Sequence, residues 1–548
     1  MQDYTVGDLI VEFLEASGVE MAFGIASVHN VPMLDAIGRR QQIRFVTPRG
    51  EAGAAHMADG YARAGGKLGV VFTSTGPGAA NAIPGLMESL LACSPVLHFT
   101  GQTATAYLGK DQGTTHDLPK QKQMLDSVSK STYRIASADT ALQTLRSAAA
   151  DALRPPRGPV SVEIPIDIQR TKMQRPASIE PAPAWTAPAP RDEDVTRLAE
   201  LVRHARRPLI WTGSGALHAS ASVLELLDLG FGLVTSWSGR GVVSEADERV
   251  LGAYNAGLSK NALRIFGEAD LLLVAGSRVR AQQTRDLRDA LPQPLIQIDV
   301  DPKANGRTYP AEMFIEGDSA EILGALVAHL KGSYRACETW RGQVRAAKQE
   351  AATEYRATLG AYRDFPQGLR QALPHDAILV RDLTWHSIWA HYAFPVLEPG
   401  CSLFPVTGAI GSGLQTSIGA ALSQSKRKTV LLSGDGGFFM HHGELWTALA
   451  TGADLLIVVM NDQTYLLIEH VQDALAEGRH YFSKLQNPDL EGLAKLAGIP
   501  FWRVGRAKDF ESTVRQAIAG KGPRLIEVDM NAIGAPPSAY IAPAYVKA

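Results

Sequence analysis

The sequence predicts an α/β protein with three doubly wound parallel-sheet domains. Short apolar runs typical of buried strands alternate with helical segments through most of the chain, which favours parallel sheets with helices on both faces. A Pro/Ala-rich stretch at roughly 175–190 indicates a linker, and a charged helical segment follows the second such region. We therefore expect domains at residues 1–170, 191–333 and 366–548, the last of them ending in an irregular tail.

The composition limits the possible functions. The 548 residues suffice for about three domains, and 54 Lys and Arg against 56 Asp and Glu give no electrostatic reason to expect nucleic acid. Cys93, Cys337 and Cys401 are too far apart for a disulfide framework or a metal-ligand spacing. Thr5 and Asp8 predict a capping box that opens an amphipathic helix rather than a signal peptide. Because the apolar runs are too short to span a bilayer, we expect a soluble, cytoplasmic protein.

The third predicted domain carries polar residues directly after two neighbouring strands. The first strand ends in Gly434-Asp435-Gly436, a sharp turn whose glycines let the backbone approach a ligand, and the second delivers Asn461 and Asp462. Because open α/β sheets bind ligands at the carboxyl ends of their strands, we expect these groups to meet there. Oxygen ligands beside backbone amides suit Mg²⁺ holding a diphosphate. The alternative interpretation is two ordinary strand-end turns.

The first predicted domain contains two further strand-to-helix turns. Glu51 opens a helix rich in small residues, a place where a carboxylate is more commonly a structural acid favoured by the helix dipole. The next strand leads into a glycine turn with Gly76, Gly78 and Asn81, which opens another helix. Turns of this kind approach ligands closely, although many only pack a helix on a strand.

Three motifs together resemble the thiamine-diphosphate enzymes of the acetolactate synthase and 2-oxoacid decarboxylase superfamily: Glu51 in its Arg-Gly-Glu-Ala setting, the glycine turn of the first domain, and Gly-Asp-Gly followed by Asn461-Asp462. The resemblance covers essentially the whole chain and implies pyrimidine-binding, central and diphosphate-binding domains in this order. It implies that Glu51 hydrogen-bonds the cofactor's aminopyrimidine and so promotes deprotonation of the thiazolium carbon, a task suited to a fixed carboxylate in a dry site. It also implies a homodimer or homotetramer with active sites between subunits.

The resemblance assigns further residues to the cofactor and its metal. The Gly408 carbonyl would accept a hydrogen bond from the cofactor's 4′-amino group, and Ile410 would lie under the bent cofactor. Judged by itself, Ile410 is equally an ordinary core aliphatic. The cofactor-approaching turns would use Gly76, Gly78, Asn81, Gly434 and Gly436. The implied Mg²⁺ ligands are Asp435, Asn461, Asp462 and the backbone carbonyl of Thr464.

Several positions depart from acetolactate synthase itself. Ser277-Arg278-Val279-Arg280 replaces the Arg-Phe-Asp-Asp usual on the flavin-facing strand. Val471 falls where a tryptophan selects larger 2-oxoacid acceptors. We therefore expect neither bound FAD nor a role in branched-chain amino-acid biosynthesis.

Two histidines are candidate acid–base groups. His29 lies in the loop after the first strand and resembles the placement of the active-site histidine in benzaldehyde lyase and 2-hydroxyacyl-CoA lyases. The same resemblance turns the loop of His116 toward the active site. Imidazole suits proton transfer in both directions near neutral pH, but a loop histidine is more often a surface residue. We expect His29 to act, with His116 as the fallback.

The sequence thus predicts an enzyme that uses thiamine diphosphate and Mg²⁺ to cleave or form a C–C bond of a 2-oxoacid or 2-hydroxy ketone, as a decarboxylase or carboligase. The first alternative is a 2-hydroxyacyl-CoA lyase or oxalyl-CoA decarboxylase, in which Arg278, Arg280 and Arg285 would supply a nucleotide pocket. The second is a catalytically idle regulatory paralogue, against which the intact Glu51 and Asp435 argue. A nicotinamide dehydrogenase fits poorly, because no Gly-x-Gly-x-x-Gly turn opens a helix with an acid about twenty residues further on.

Overall fold

The computed structural model describes residues 4–254 and 260–537 and contains three six-stranded sheets. The paired strands of each sheet run parallel, and helices flank them. The predicted fold class is therefore confirmed. The domain boundaries stay a prediction, and the irregular tail expected at the end of the chain lies, from residue 538 on, outside the described residues.

The first sheet belongs to the N-terminal unit. Its strands are β1 Met21–Gly24, β2 Arg44–Val46, β3 Gly69–Thr73, β4 Val96–Gln102, β5 Ser131–Arg134 and β6 Pro159–Pro165, in the order β2-β1-β3-β4-β6-β5. Its helices are α1 Val6–Ala16, α2 Val31–Arg40, α3 Glu51–Gly65, α4 Pro77–Asn81, α5 Ile83–Ala92, α6 Gln121–Asp126, α7 Ala138–Leu153 and α8 Ile166–Gln169. The capping box predicted for Thr5 and Asp8 is present at the start of α1.

The second sheet belongs to the central unit. Its strands are β7 Pro208–Thr212, β8 Gly232–Thr235, β9 Val250–Ala253, β10 Leu271–Ala275, β11 Leu295–Asp299 and β12 Met313–Glu316, in the order β12-β11-β10-β7-β8-β9. Its helices are α9 Asp192–His204, α10 Ser220–Asp228, α11 Lys260–Glu268 and α12 Ser319–Leu330. The charged helix predicted to follow this unit is α13, Glu338–Ala357.

The third sheet belongs to the C-terminal unit. Its strands are β13 Ile378–Arg381, β14 Ser402–Leu403, β15 Thr429–Gly434, β16 Leu455–Asn461, β17 Phe501–Val504 and β18 Arg524–Asp529, in the order β14-β13-β15-β16-β18-β17. Its helices are α14 Phe365–Ala372, α15 Trp385–Tyr392, α16 Gly413–Ser423, α17 Asp435–Met440, α18 Leu445–Thr451, α19 Leu466–Leu475, α20 Leu490–Ala497, α21 Phe510–Ile518 and α22 Met530–Ile533.

The first and third sheets share one topology. In each, the first strand of the unit is flanked by the second on one side and by the third on the other, so the strand order reverses between the first and third strands. Open α/β sheets bind ligands at the carboxyl ends of the strands where the order reverses. The glycine turn after β3 and Asp435 after β15 both lie at such a reversal.

Small residues let the N-terminal and C-terminal units pack closely. A Cβ at Gly60 of α3 would lie 2.1 Å from the Thr416 carbonyl oxygen, and one at Gly419 of α16 would lie 2.0 Å from the Met57 oxygen. The backbones of α3 and α16 therefore touch, which larger residues would prevent. The run of alanines and glycines after Glu51 serves this contact.

The Gly-Asp-Gly stretch differs from the predicted sharp turn. Gly434 is extended (φ −80°, ψ 158°), and α17 begins at once with Asp435. The first backbone N–H groups of a helix have no partners within it, so α17 supplies the amide donors that the sequence suggested would come from a turn. Among the helices of the described ranges, none combines the length and apolar character needed to cross a bilayer.

Candidate active site

Two acidic side chains meet at the edge of the third sheet. Strands β15 and β16 pair in parallel with Gly434 opposite Met460, so Asp435 and Asp462 emerge at the same edge. Both line a cavity of about 80 Å³. Burial and the neighbouring Asp462 raise the pKa of Asp435 to about 7, and burial also raises the pKa of Asp462. Two carboxylates forced together away from water form a site that a divalent cation would stabilise.

Three of the four predicted metal ligands line this cavity, and the fourth does not. Asp435, Asp462 and Thr464 line the cavity, whereas Asn461 does not. Instead, the Asn461 side chain donates its amide to Glu527 Oε1 (2.8 Å). Asp462, the first residue after β16, faces the cavity, while the amide of Asn461, the last residue of the strand, binds Glu527.

The glycines of this edge are needed for close packing. A Cβ at Gly436 would lie 2.6 Å from Cε1 of Tyr465, and one at Gly434 would lie 3.1 Å from Oγ1 of Thr384. Ile410 lines the same cavity as Asp435. Gly408, two residues earlier, has a φ of +80°, a conformation that favours glycine.

Sequence reasoning missed His386 on α15. Its side chain lines the Asp435 cavity, and its Nε2 is buried with no hydrogen-bond partner among the described residues. Burial lowers its pKa to about 3, so the imidazole is neutral. A histidine within an apolar helix gives no sequence signal that would distinguish it from a core residue.

In the N-terminal unit, the structure brings His29 and His116 together. Their ring centroids lie 5.4 Å apart, and Ser74 Oγ lies 3.2 Å from His116 Nδ1. His29 is only 8% exposed, and its Nδ1 has no partner among the described residues. His29 is therefore not the surface residue of the alternative interpretation, while His116 is exposed. Burial and the nearby His116 lower the pKa of His29.

Glu51 adjoins the same cluster. The Asn81 amide donates to Glu51 Oε2 (3.2 Å), and a Cβ at Gly78 would lie 3.1 Å from Glu51 Oε1. Gly76 has a φ of +57°, and a Cβ there would lie 2.2 Å from the His116 carbonyl oxygen. The glycine turn therefore fits between Glu51 and His116. A side chain at Gly76 or Gly78 would collide with these neighbours.

A residue that the sequence did not single out fixes this turn. Gln121 Oε1 accepts hydrogen bonds from Gly76 N (2.6 Å) and Thr75 Oγ1 (2.8 Å), while its Nε2 donates to Glu163 Oε1 (3.0 Å). Gln121 is buried at the start of α6. Its contacts join segments about forty residues apart, so spacing in the sequence does not reveal them.

Glu51 and Asp435 line different cavities of the single chain. The cavity of Glu51 measures about 470 Å³, and its wall also includes Asn81, His441 and His442. It shares no lining residue with the 80 Å³ cavity of Asp435. His441 and His442, which directly follow α17, thus line the Glu51 cavity.

A cavity of about 670 Å³ lies where the strand order of the central unit reverses, between β7 and β10, and residues of the other two units, such as Cys93 and Phe404, complete its wall. Arg278 and Arg280 line it, but Arg285 does not and instead pairs with Asp289 (2.5 Å). The prediction that three arginines would form an acyl-CoA pocket is therefore wrong for Arg285. The acidic residues on the same wall, Asp299, Asp301 and Asp318, give the cavity mixed charge.

Comparison with known families gives the same three units. The thiamine pyrophosphate enzyme N-terminal TPP binding domain matches residues 4–124, the central domain matches 195–326, and the C-terminal TPP binding domain matches 382–528. Together they cover well over half of the chain.

Relatives are similar over nearly the full length. The mitochondrial acetolactate synthase catalytic subunit of Saccharomyces cerevisiae is 26% identical over 96% of this chain and 81% of its own. Acetolactate synthase isozyme 1 large subunit of Escherichia coli is 27% identical, and a probable 2-ketoarginine decarboxylase of Pseudomonas aeruginosa is 29% identical, each over 96% of this chain and 94% of its own. With three domain matches in the family's order and relatives along its whole length, the chain belongs to the thiamine-pyrophosphate-dependent enzymes as an acetolactate-synthase-like member.

Proposed function

We propose that this enzyme uses thiamine diphosphate and Mg²⁺ to cleave or form a C–C bond of a 2-oxoacid or 2-hydroxy ketone. The observation that carries the proposal is the Asp435–Asp462 pair beside the start of α17, in one cavity with Ile410. Carboxylates fit a divalent cation, and free helix amides fit a diphosphate. When bound, the cofactor supplies the electron sink that C–C cleavage next to a carbonyl requires.

The residues at this edge would hold the cofactor. Asp435, Asp462 and the Thr464 carbonyl would ligate the metal, while Nε2 of His386, which has no partner within the described ranges, would form one hydrogen bond with the diphosphate. Asn487 Nδ2 donates to Asp435 Oδ2 (2.6 Å) and would orient that carboxylate, as outer partners of metal ligands do. Asn461 would act through Glu527 rather than on the metal.

Glu51 would exchange a proton with the pyrimidine end of the cofactor. Its carboxylate is half-buried and accepts a hydrogen bond from the Asn81 amide, which holds it in position. His29 would exchange a proton with the substrate oxygen. Its lowered pKa keeps the imidazole neutral, so the ring can accept a proton. His116, in ring contact with His29, is the fallback for that role.

A screen of 2-oxoacids, 2-hydroxy ketones and acyl-CoAs against the purified protein with thiamine diphosphate and Mg²⁺ tests the proposal. We expect turnover of a 2-oxoacid or 2-hydroxy ketone, and loss of that turnover when Mg²⁺ is chelated. The name of the Pseudomonas relative makes 2-ketoarginine a substrate to include. Turnover of acyl-CoAs alone would instead favour the acyl-CoA lyase alternative. No turnover with any donor would favour the idle paralogue.

Because Glu51 and Asp435 line separate cavities in one chain, we propose that each active site joins two copies of it. The Glu51→Gln and Asp435→Ala variants are each expected to be inactive. When the two variants are co-expressed with different tags, we expect activity to return. A mixed dimer then has one site with both residues intact, so random pairing gives about a quarter of the wild-type activity. Absence of recovery in a purified mixed dimer would contradict the shared site.

The purified enzyme is expected to carry little or no FAD, because Ser277–Arg280 lacks the residues usual on the flavin-facing strand. An absorption spectrum checks this, since protein-bound flavin absorbs at about 450 nm. A stoichiometric band there would contradict the prediction and support the acetolactate synthase reaction itself.

Replacing His29 with alanine is expected to lower turnover about a hundredfold, the effect of losing one acid–base group, with cofactor binding unchanged. The lowered pKa of His29 means that its neutral form persists below its usual 6.5. The acidic limb of the wild-type rate profile should therefore lie below that pH and should change in His29→Ala. His116→Ala is the comparison, and full activity in both variants would remove the histidines from the mechanism.

A further inference from the structure

The segment that carries Gly408 and Ile410 is a loop whose backbone binds side chains from other elements of the structure. It runs from β14 to α16 without regular secondary structure, and Gly408 and Gly411 both have a left-handed backbone, with φ of +80° and +90°. Such a loop has a fixed conformation only where its backbone groups are held from outside. We call residues 404–412 the cofactor loop.

A carboxylate from the N-terminal unit holds the entry to the cofactor loop. Glu88 of α5, 1% exposed, accepts hydrogen bonds from Val406 N (2.7 Å), Thr407 N (3.0 Å) and Thr407 Oγ1 (2.7 Å). Arg63 of α3 pairs with Glu88 (3.2 Å) and donates to the Phe404 carbonyl oxygen (3.0 Å). The two side chains thus bind backbone groups of Phe404, Val406 and Thr407 at the start of the loop.

Hydrogen bonds link Glu88 to the middle of the loop through Thr407. Ala409 N–H donates to Thr407 Oγ1 (3.2 Å), while that hydroxyl donates to Glu88. Ala409 lies between Gly408 and Ile410, the residues proposed to contact the cofactor. The carboxylate therefore reaches the functional backbone through a single hydroxyl group.

A second carboxylate holds the exit of the cofactor loop. Asp382, directly after β13 and 1% exposed, accepts from Gly411 N (2.9 Å) and Gly413 N (3.2 Å). It also accepts from Leu383 N (2.7 Å). A buried carboxylate is costly unless its oxygens are satisfied, and here backbone N–H groups satisfy them.

From these contacts we infer that Glu88 and Asp382 are positioning residues, which clamp the cofactor loop at its two ends and fix Gly408 and Ile410 between them. The inference rests on the proposed function. Because Glu88 and Arg63 belong to the N-terminal unit, the docking of α3 and α5 sets the shape of a loop in the C-terminal unit. The clamp keeps the Gly408 carbonyl and Ile410 in place before the cofactor arrives, the arrangement that preorganised sites require.

The test replaces atoms of the clamp and measures hydrogen–deuterium exchange at the cofactor's C2, with saturating thiamine diphosphate and Mg²⁺. Glu88→Gln turns one acceptor into a donor that faces backbone N–H groups. Exchange in this variant is expected to slow about tenfold or more, because a small misplacement of reacting groups lowers the rate by such factors. We expect turnover to fall with it, and substrate KM to change little.

Glu245→Gln is the matched control. Glu245 is also buried, pairs with Arg240 (2.6 Å) and accepts from the backbone of the C-terminal unit at Val396 N (2.8 Å), but it lies outside the cofactor loop. Its loss is expected to lower thermal stability comparably while leaving C2 exchange within about twofold of wild type, because it removes no contact of the loop. Equal exchange in Glu88→Gln and Glu245→Gln would overturn the inference.

A second pair of variants keeps the test decisive if Glu88→Gln does not fold. Thr407→Val removes the hydroxyl that links Glu88 to Ala409, whereas Thr407→Ser keeps it. Exchange is expected to slow only in Thr407→Val, and unchanged exchange there would overturn the clamp. Wild-type protein that neither binds thiamine diphosphate nor exchanges C2 would instead refute the proposed function, so the two failures are distinguishable.

Discussion

Replacing Glu51 with glutamine is expected to lower turnover by about two orders of magnitude or more, the scale of lost acid–base catalysis. Glutamine has nearly the same shape and still accepts the hydrogen bond that Asn81 donates to Glu51. It cannot take up or release a proton, so the chemistry should fail while the fold and cofactor affinity are largely retained.

Exchange of the cofactor's C2 hydrogen for deuterium measures this step directly. It should slow in Glu51→Gln in parallel with turnover. Asn81→Ala is the matched comparison, since it removes the partner and leaves the carboxylate, and we expect a smaller loss. Exchange at the wild-type rate in Glu51→Gln would remove Glu51 from its proposed role.

Replacing Asp435 with alanine is expected to abolish Mg²⁺-dependent cofactor binding. Asp435 and Asp462 are the two carboxylates of the cavity, and Mg²⁺ depends on such oxygens for charge and geometry. The loss should be about a hundredfold or more in cofactor affinity, at least the effect of removing an outer partner of a metal ligand.

Titration calorimetry with and without Mg²⁺ gives the measurement. Asp462→Ala should behave like Asp435→Ala. Asn461→Ala should lose less, because the Asn461 amide is turned toward Glu527 and away from the cavity. Wild-type affinity in Asp435→Ala would place the metal elsewhere, and a complete loss in Asn461→Ala would restore it as a ligand.

Much of the fold was predictable because its signals are local. Short apolar runs bounded by turn residues predict buried strands, and β16, Leu455–Asn461, is such a run. Glycine turns at strand ends, with Asp435 beyond one and Glu51 near another, also follow from neighbouring residues. The position of the candidate cofactor site at two sheet edges was therefore foreseeable, although the roles of its residues stay predictions.

Local patterns predicted three parallel-sheet units and the strand ends that carry their polar residues, since periodicity and glycine placement act over a few neighbouring positions. The directions in which those side chains face depend on the tertiary structure. It buried His29, turned Asn461 toward Glu527, and placed Gln121 against Gly76. It also joined Glu88 to Thr407 across 319 positions of the chain. Such contacts depend on how helices and sheets pack against one another. That packing involves residues far apart in the sequence, so local sequence patterns do not reveal it.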